Sequence, residues 1–296
     1  MSENARSTQQ QVWFITGSSR GFGRALVTAV LDAGDLVVAT ARRPETLAKE
    51  LEEYGDRVLT LPLDVTSPEA AHAAIDVALA RFGRIDVLVN NAGYANVSPV
   101  ETADDDDFRA QFETNFWGVY NVTKAALPTL RRQGSGTVVQ FSSVGGRVGG
   151  SPGIASYQAA KFAVDGFSRA LAAETAPFGV RFMVVEPSGF ATDWAGSSMT
   201  VHPVPEAYDE TVGAMNRMVR QSTSGGAGDP ERAAEIIVRT VRRGQVPSHL
   251  LLGVNAVTMA LDYSRRQLAE AGAWEEVSRS ADFAEPYPVE LPPQEA

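Results

Sequence analysis

The chain has 296 residues, 44% of them hydrophobic and 21% charged, which are the proportions of a globular chain with a sizeable core. Its formal net charge of −10 argues against nucleic acid or an anionic membrane as a partner. Cysteine is absent, which excludes disulfides and thiolate chemistry, and His72, His202 and His249 are too scattered for a cluster, so we expect no metal.

Residues 1–11 are polar, with no apolar segment ahead of the first strand, and no run of eighteen apolar residues occurs later. These features lead us to expect a cytoplasmic protein. Short β-branched runs follow at Val12 to Thr16, Leu36 to Ala41, Arg57 to Leu61, Ile85 to Asn90, Gly136 to Phe141, Val180 to Glu186 and Ser248 to Leu252. Helical patterns begin between them near Phe22, Pro44, Ser67, Asp104, Ala155 and Pro230. The alternation predicts an α/β fold, a doubly wound Rossmann-type parallel sheet of about seven strands with helices on both faces. "DVLVN" and "TVVQF" are nearly continuous apolar runs, as strands covered on both sides should be. The acidic run Asp104 to Asp107 is read as a helix start, because carboxylates favour the positive end of the helix dipole.

We expect one catalytic domain over residues 1–296, with two departures from the strand-helix rhythm. Residues 188–228 form a long insertion carrying Trp194, Met199, Val201, Tyr208, Met215 and Met218 and closing with "SGGAGDP", the pattern of a substrate lid. Residues 253–296 form a C-terminal extension, helical from Val254 to Ala271 and ending in a proline-rich stretch that resists regular structure.

The first strand runs into "TGSSRGFGRAL", where Gly17, Gly21 and Gly23 precede a helix. Such a turn lets backbone approach a pyrophosphate closely, and the free amides of the helix start attract its charge. About twenty residues on, where an acid would bind a ribose hydroxyl, the chain has Ala41 and Arg42. Arg20 in the loop and Arg42 suit a 2′-phosphate, so NADP (NADPH) is expected over NAD, with Arg43 as a bystander.

Taken together, "TGSSRGFG", Asp64 with Val65, "NNAG" at 90–93, Asn115, "SS" at 142–143, "YQAAK" and Thr192 resemble the short-chain dehydrogenase/reductase family in its classical NADP-dependent branch, over residues 12–192. The resemblance implies that Tyr157 is the acid/base, Lys161 its partner, Ser143 the hydroxyl that holds the substrate oxygen, and Asn115 the support of a water relay. It further implies cofactor contacts from Gly17, Ser19, Arg20, Gly21, Phe22, Gly23, Arg42, Asp64, Val65, Asn91, Ala92, Gly93, Tyr157, Lys161, Pro187, Gly189 and Thr192. A homodimer or homotetramer is implied too. There are two departures from the family pattern. The Ser143-to-Tyr157 spacing is one residue long, which leaves Ser142 as an alternate, and Ser188 stands where glycine usually follows Pro187.

Tyr157 and Lys161 lie four residues apart and so on one side of a helix. A phenol has a pKa of about 10, and a nearby cation is expected to lower it by ~1 to 3 units. The expected activity is interconversion of a ketone or aldehyde and its alcohol by hydride transfer, on a small molecule with an apolar portion that the methionines of the insertion would meet. The alternative is an NADP-binding regulatory or sensor module without turnover.

Overall fold

The protein is described from a computed structural model over residues 10–192, 199–221 and 228–292. Trp194 and the start of "SGGAGDP" lie outside the described residues. Seven strands, β1 (Val12–Ile15), β2 (Leu36–Ala41), β3 (Val58–Pro62), β4 (Val87–Asn90), β5 (Gly136–Phe141), β6 (Val180–Pro187) and β7 (His249–Leu252), form one sheet in the order β3-β2-β1-β4-β5-β6-β7. Every pairing is parallel. The expected strands are all present, with limits shifted by two residues at most.

Parallel strands require crossovers, and the helical segments supply them on both sides. Along β1 the side chains alternate. Trp13 and Ile15 face a core shared with α1 (Gly21–Asp32) and α9 (Pro230–Arg242), whereas Phe14 faces one shared with α3 (Pro68–Phe82) and α5 (Gly118–Gln133). Each large apolar side chain so covered contributes ~1.5–3 kcal/mol by leaving water. The helix α7 (Ala155–Thr175) also packs on this second face, where Leu171 joins the core. The remaining α-helices are α2 (Glu45–Glu50), α4 (Asp105–Phe112), α6 (Gly145–Val148), α8 (Ala214–Gln221), α10 (Val254–Ala273) and α11 (Glu275–Arg279).

The acidic run behaves as expected. Asp104 caps α4, its Oδ1 accepting from the Asp106 and Asp107 amides at 2.9 Å. Thr16 follows β1 at the point where the strand order reverses, so a cleft opens there at the carboxyl ends of β1 and β4. No helix among the described residues is long and apolar enough to cross a membrane.

The insertion after β6 divides in use. Met199, Val201, Val204, Tyr208 and Met215 pack around Ala95, Val97, Ile154, Tyr157 and Val212, a third apolar cluster beside the cleft. Bridges between Val97 and Val201 and between Phe190 and Gly228 tie the insertion to the body. In the C-terminal extension α10 is two residues longer than the sequence pattern, and Ala256 and Ala260 are its buried residues.

Candidate active site

The cleft encloses about 1340 Å³ and runs from the glycine loop to the first turns of α10. At the loop, Gly17 and Gly21 take φ of +67° and +54°, a left-handed backbone that side chains rarely adopt. A Cβ on Gly23 would strike the Gly17 carbonyl oxygen, so α1 can lie against the loop only because Gly23 has none. Gly23 is the one expected cofactor residue that does not line the cleft. The loop is held from the side of β4, where Asn91 Nδ2 donates to the carbonyls of Thr16 and Gly17 at 3.0 and 3.1 Å. The Asn91 and Ala92 amides donate to Thr16 Oγ1. Thr16 was not singled out from the sequence.

No side chain caps the start of α1, which leaves its first amides for an anion. Arg20 and Arg42 are exposed on the cleft wall, while Arg43 is not among the lining residues. Ser19, Gly21, Phe22, Asp64, Val65, Asn91, Ala92, Gly93, Pro187, Gly189 and Thr192 all line the same cleft. The glycine cradle, the uncapped helix start and the two cations fit an extended nucleotide.

At the far end the structure brings Asn115, Ser143, Tyr157 and Lys161 together. Asn115 lies in a π-turn, Glu113–Trp117, between α4 and α5, fully buried, with Nδ2 donating to the carbonyls of Tyr94 and Gln111 at 2.8 Å. A π-turn re-aims one side chain in an otherwise regular helix. Asn115 Oδ1 has no hydrogen-bond partner among the described residues, and it faces Gly93 near Lys161 Nζ. Such a buried acceptor fits an ordered water.

The two serines separate cleanly. Ser142 is buried and donates to the Lys161 carbonyl at 3.0 Å, which ties β5 to α7. Ser143 Oγ accepts from the Gly145 amide at 3.0 Å and hydrogen-bonds the Tyr157 side chain. Ser143 is therefore the hydroxyl that stands with Tyr157.

Ser188 is accommodated without strain. Its amide donates to the Leu252 carbonyl at 3.1 Å, and its hydroxyl occupies space that a Cβ on Gly253 would fill. All described residues with positive φ are glycines, so the serine costs the loop nothing in backbone conformation.

The electrostatics of the pair correct the expectation of an acidified tyrosine. Burial pushes the Tyr157 phenol up to about 12, with the Ser143 hydrogen bond pulling the other way. Burial also brings the Lys161 ammonium down to about 8. Lys161 Nζ donates to the Phe141 carbonyl and lies 5.6 Å from the centre of the tyrosine ring. Removal from water is the largest cause of both shifts. Tyr157 is thus held as a protonated phenol.

Several lining residues carry no signal in the sequence pattern. Asn255 and Met259 of α10 reach the cleft because β7 ends at the same sheet edge, so whatever follows it must emerge there. Gln158 follows Tyr157 and lines the cleft although a one-residue step turns a helical side chain by about 100°. Behind the site, Arg147 of α6 holds the fully buried Glu186 of β6 through Nε to both carboxylate oxygens, at 3.1 and 2.9 Å.

Residues 11–201 match the family model described as short chain dehydrogenase. The chain is 47% identical over 269 residues to Oxidoreductase BOA17 of Botryotinia fuckeliana, an alignment covering 90% of this chain and 98% of that one. Among solved structures, a short-chain dehydrogenase from Streptomyces avermitilis superposes with a TM-score of 0.85 at 39% identity, covering 92% of this chain and 100% of its own. A gluconate 5-dehydrogenase from Burkholderia cenocepacia, solved with NADP and tartrate, superposes with a TM-score of 0.70 at 26% identity, covering 86% and 98%. Glycine loop, tyrosine and lysine on one helix, and close relatives along nearly the whole chain lead to one conclusion: this protein belongs to the short-chain dehydrogenase family.

Proposed function

We propose that the protein is an NADP(H)-dependent carbonyl reductase, interconverting a ketone or aldehyde and its alcohol, and that the whole chain works as one catalytic unit. The observation that carries this reading is the hydrogen bond between Tyr157 and Ser143 in a cleft that also holds an uncapped helix start and two arginines. NADP is favoured over NAD because Arg20 and Arg42 stand where a 2′-phosphate would need charge-assisted hydrogen bonds. The gluconate 5-dehydrogenase solved with NADP supports the same choice.

In this reading Gly17 and Gly21 admit the pyrophosphate, and Asn91 to Gly93 and Thr192 flank the rest of the dinucleotide. When bound, the nicotinamide supplies or accepts the hydride. Ser143 donates to the substrate oxygen and stabilises charge as it grows there. Tyr157 delivers its phenolic proton to that oxygen as general acid. Lys161 stabilises the phenolate left behind, and Asn115 Oδ1 holds the water through which Lys161 passes a proton on. Met215, Met218 and Met259 on the cleft wall suit an apolar substrate portion of variable shape.

The exposed Trp117, packed edge-on to Phe116 and Tyr120 on the α5 side of α7, supports a homo-oligomer formed through these helices. The reaction is tested by following NADPH oxidation over a panel of ketones with Tyr157→Phe as the control. A loss of about 100- to 10,000-fold in turnover is expected, and retained turnover in that variant defeats the assignment.

A further inference from the structure

Gln158 lines the cleft next to Tyr157, is 7% exposed, and is the one buried amide side chain there with an idle donor among the described residues. Its Oε1 accepts from the Ser151 backbone amide at 3.3 Å. A backbone N–H can only donate, so this contact fixes which way the carboxamide points and leaves Nε2 on the opposite side. Nε2 is removed from solvent and has no hydrogen-bond partner. Asn96, another amide of the cleft wall, is satisfied at both ends, by Asp107 and by the Thr200 amide. A buried N–H without an acceptor carries a desolvation penalty that a correctly placed ligand oxygen relieves.

The position of that donor defines what relieves it. Gln158 Nε2 and Ser143 Oγ lie 3.3 and 3.4 Å from the point where a Cβ on Gly145 would stand. Gly145 has no side chain, so none separates the two donors. Ser143 is the partner of Tyr157, so Nε2 stands beside the place where the reacting oxygen binds. The nearby Ile154 and Met215 offer no competing polar group.

We propose that Gln158 is a specificity-determining residue whose carboxamide N–H binds a second oxygen acceptor one or two carbons from the reacting carbonyl, making the substrate class α- or β-oxygenated ketones such as diketones and keto esters. The inference rests on the carbonyl-reductase reading and adds to it the chemistry of the preferred substrate. A site built to donate to a second oxygen rejects an analogue that lacks it, because the donor is then left buried and unpaired. Reaction chemistry is unchanged; only the second oxygen is newly recognised.

The test compares 2-hexanone, 2,3-hexanedione and ethyl 3-oxobutanoate with NADPH in wild type, Gln158→Leu and Gln158→Glu. Gln158→Glu retains an oxygen for Ser151 and puts an anionic acceptor where the donor stood, and Gln158→Leu removes both polar ends without adding charge, so the two together separate recognition from any packing role. The ratio of kcat/KM for the better dioxygenated substrate to that for 2-hexanone is expected to fall about 10- to 100-fold in both variants. Calorimetric binding of ethyl 3-hydroxybutanoate to the NADPH complex should weaken by a similar factor relative to 2-hexanol. Equal losses on all three ketones, or a wild-type ratio in Gln158→Glu, overturns the inference and leaves the reductase reading standing. Wild-type protein that oxidises NADPH with none of the ketones overturns both, before any variant is made.

Discussion

Lys161 Nζ donates to the Phe141 carbonyl oxygen at 2.7 Å while standing 5.6 Å from the centre of the Tyr157 ring. The lysine therefore joins α7 to the end of β5 as well as facing the phenol. Its ammonium is buried with no carboxylate partner among the described residues, and burial brings its pKa down to about 8 from the ordinary 10.5. The site holds a cation that the fold itself resists.

That resistance has a measurable sign. Between pH 8 and 10 the unfolded chain keeps a proton on Lys161 that the folded protein has released, so stability gains a term that rises with pH. Above pH 10 Tyr157 acts in the opposite sense, because the folded phenol stays protonated to about 12 and the unfolded one does not. Over pH 8 to 10 the Lys161 contribution is expected to be on the order of 2–3 kcal/mol. Urea unfolding of wild type against Lys161→Met should show this difference growing with pH. A constant difference across the window contradicts it.

Arg42 is exposed on the cleft wall and Arg43 does not line it. Arg42→Ala should therefore weaken NADPH binding by about 10- to 100-fold, the value of one charge-assisted hydrogen bond, with a much smaller effect on NADH. Arg43→Ala should change neither by more than about twofold. Fluorescence titration of both nucleotides into the three proteins measures this. Equal weakening of NADPH and NADH in Arg42→Ala rules out phosphate recognition by that residue.

Arg147 is the partner of a carboxylate with no solvent exposure. Burial raises the Glu186 pKa above its usual value, and Arg147 opposes that rise through hydrogen bonding and charge. Arg147→Met removes the compensation and is expected to cost about 3–5 kcal/mol near neutral pH. The cost should shrink as the pH is lowered towards 5, because a protonated Glu186 no longer needs the guanidinium. Denaturant midpoints for wild type and variant at pH 7 and pH 5 decide it, and a gap that widens on acidification refutes the account.

Much of this was legible in the chain before folding. Continuous apolar runs in β4 and β5 require helices on both faces, and Gly23 could be placed in a turn that tolerates no Cβ. The four-residue spacing of Tyr157 and Lys161 set both on one side of α7. The sequence favoured Ser143 and left Ser142 as an alternate, since adjacent residues of equal chemistry differ only in which way the strand end turns them. Ser142 turns to the Lys161 carbonyl and Ser143 to the phenol. The family pattern raised a question at Ser188 that the neighbouring Gly253, sixty-five residues later in the chain, resolves by leaving room for its hydroxyl.

By itself the sequence determined the sheet, the glycine loop and the placing of Tyr157 and Lys161 on one helix face, because these follow from periodicity and residue type over short spans. Only the tertiary structure decided their charge states and their neighbours. The shifts at Tyr157 and Lys161 come from removal of water by α7, β5 and the insertion together. The idle donor of Gln158 exists because Ser151 claims its oxygen, while Gly145, opposite it, presents only backbone.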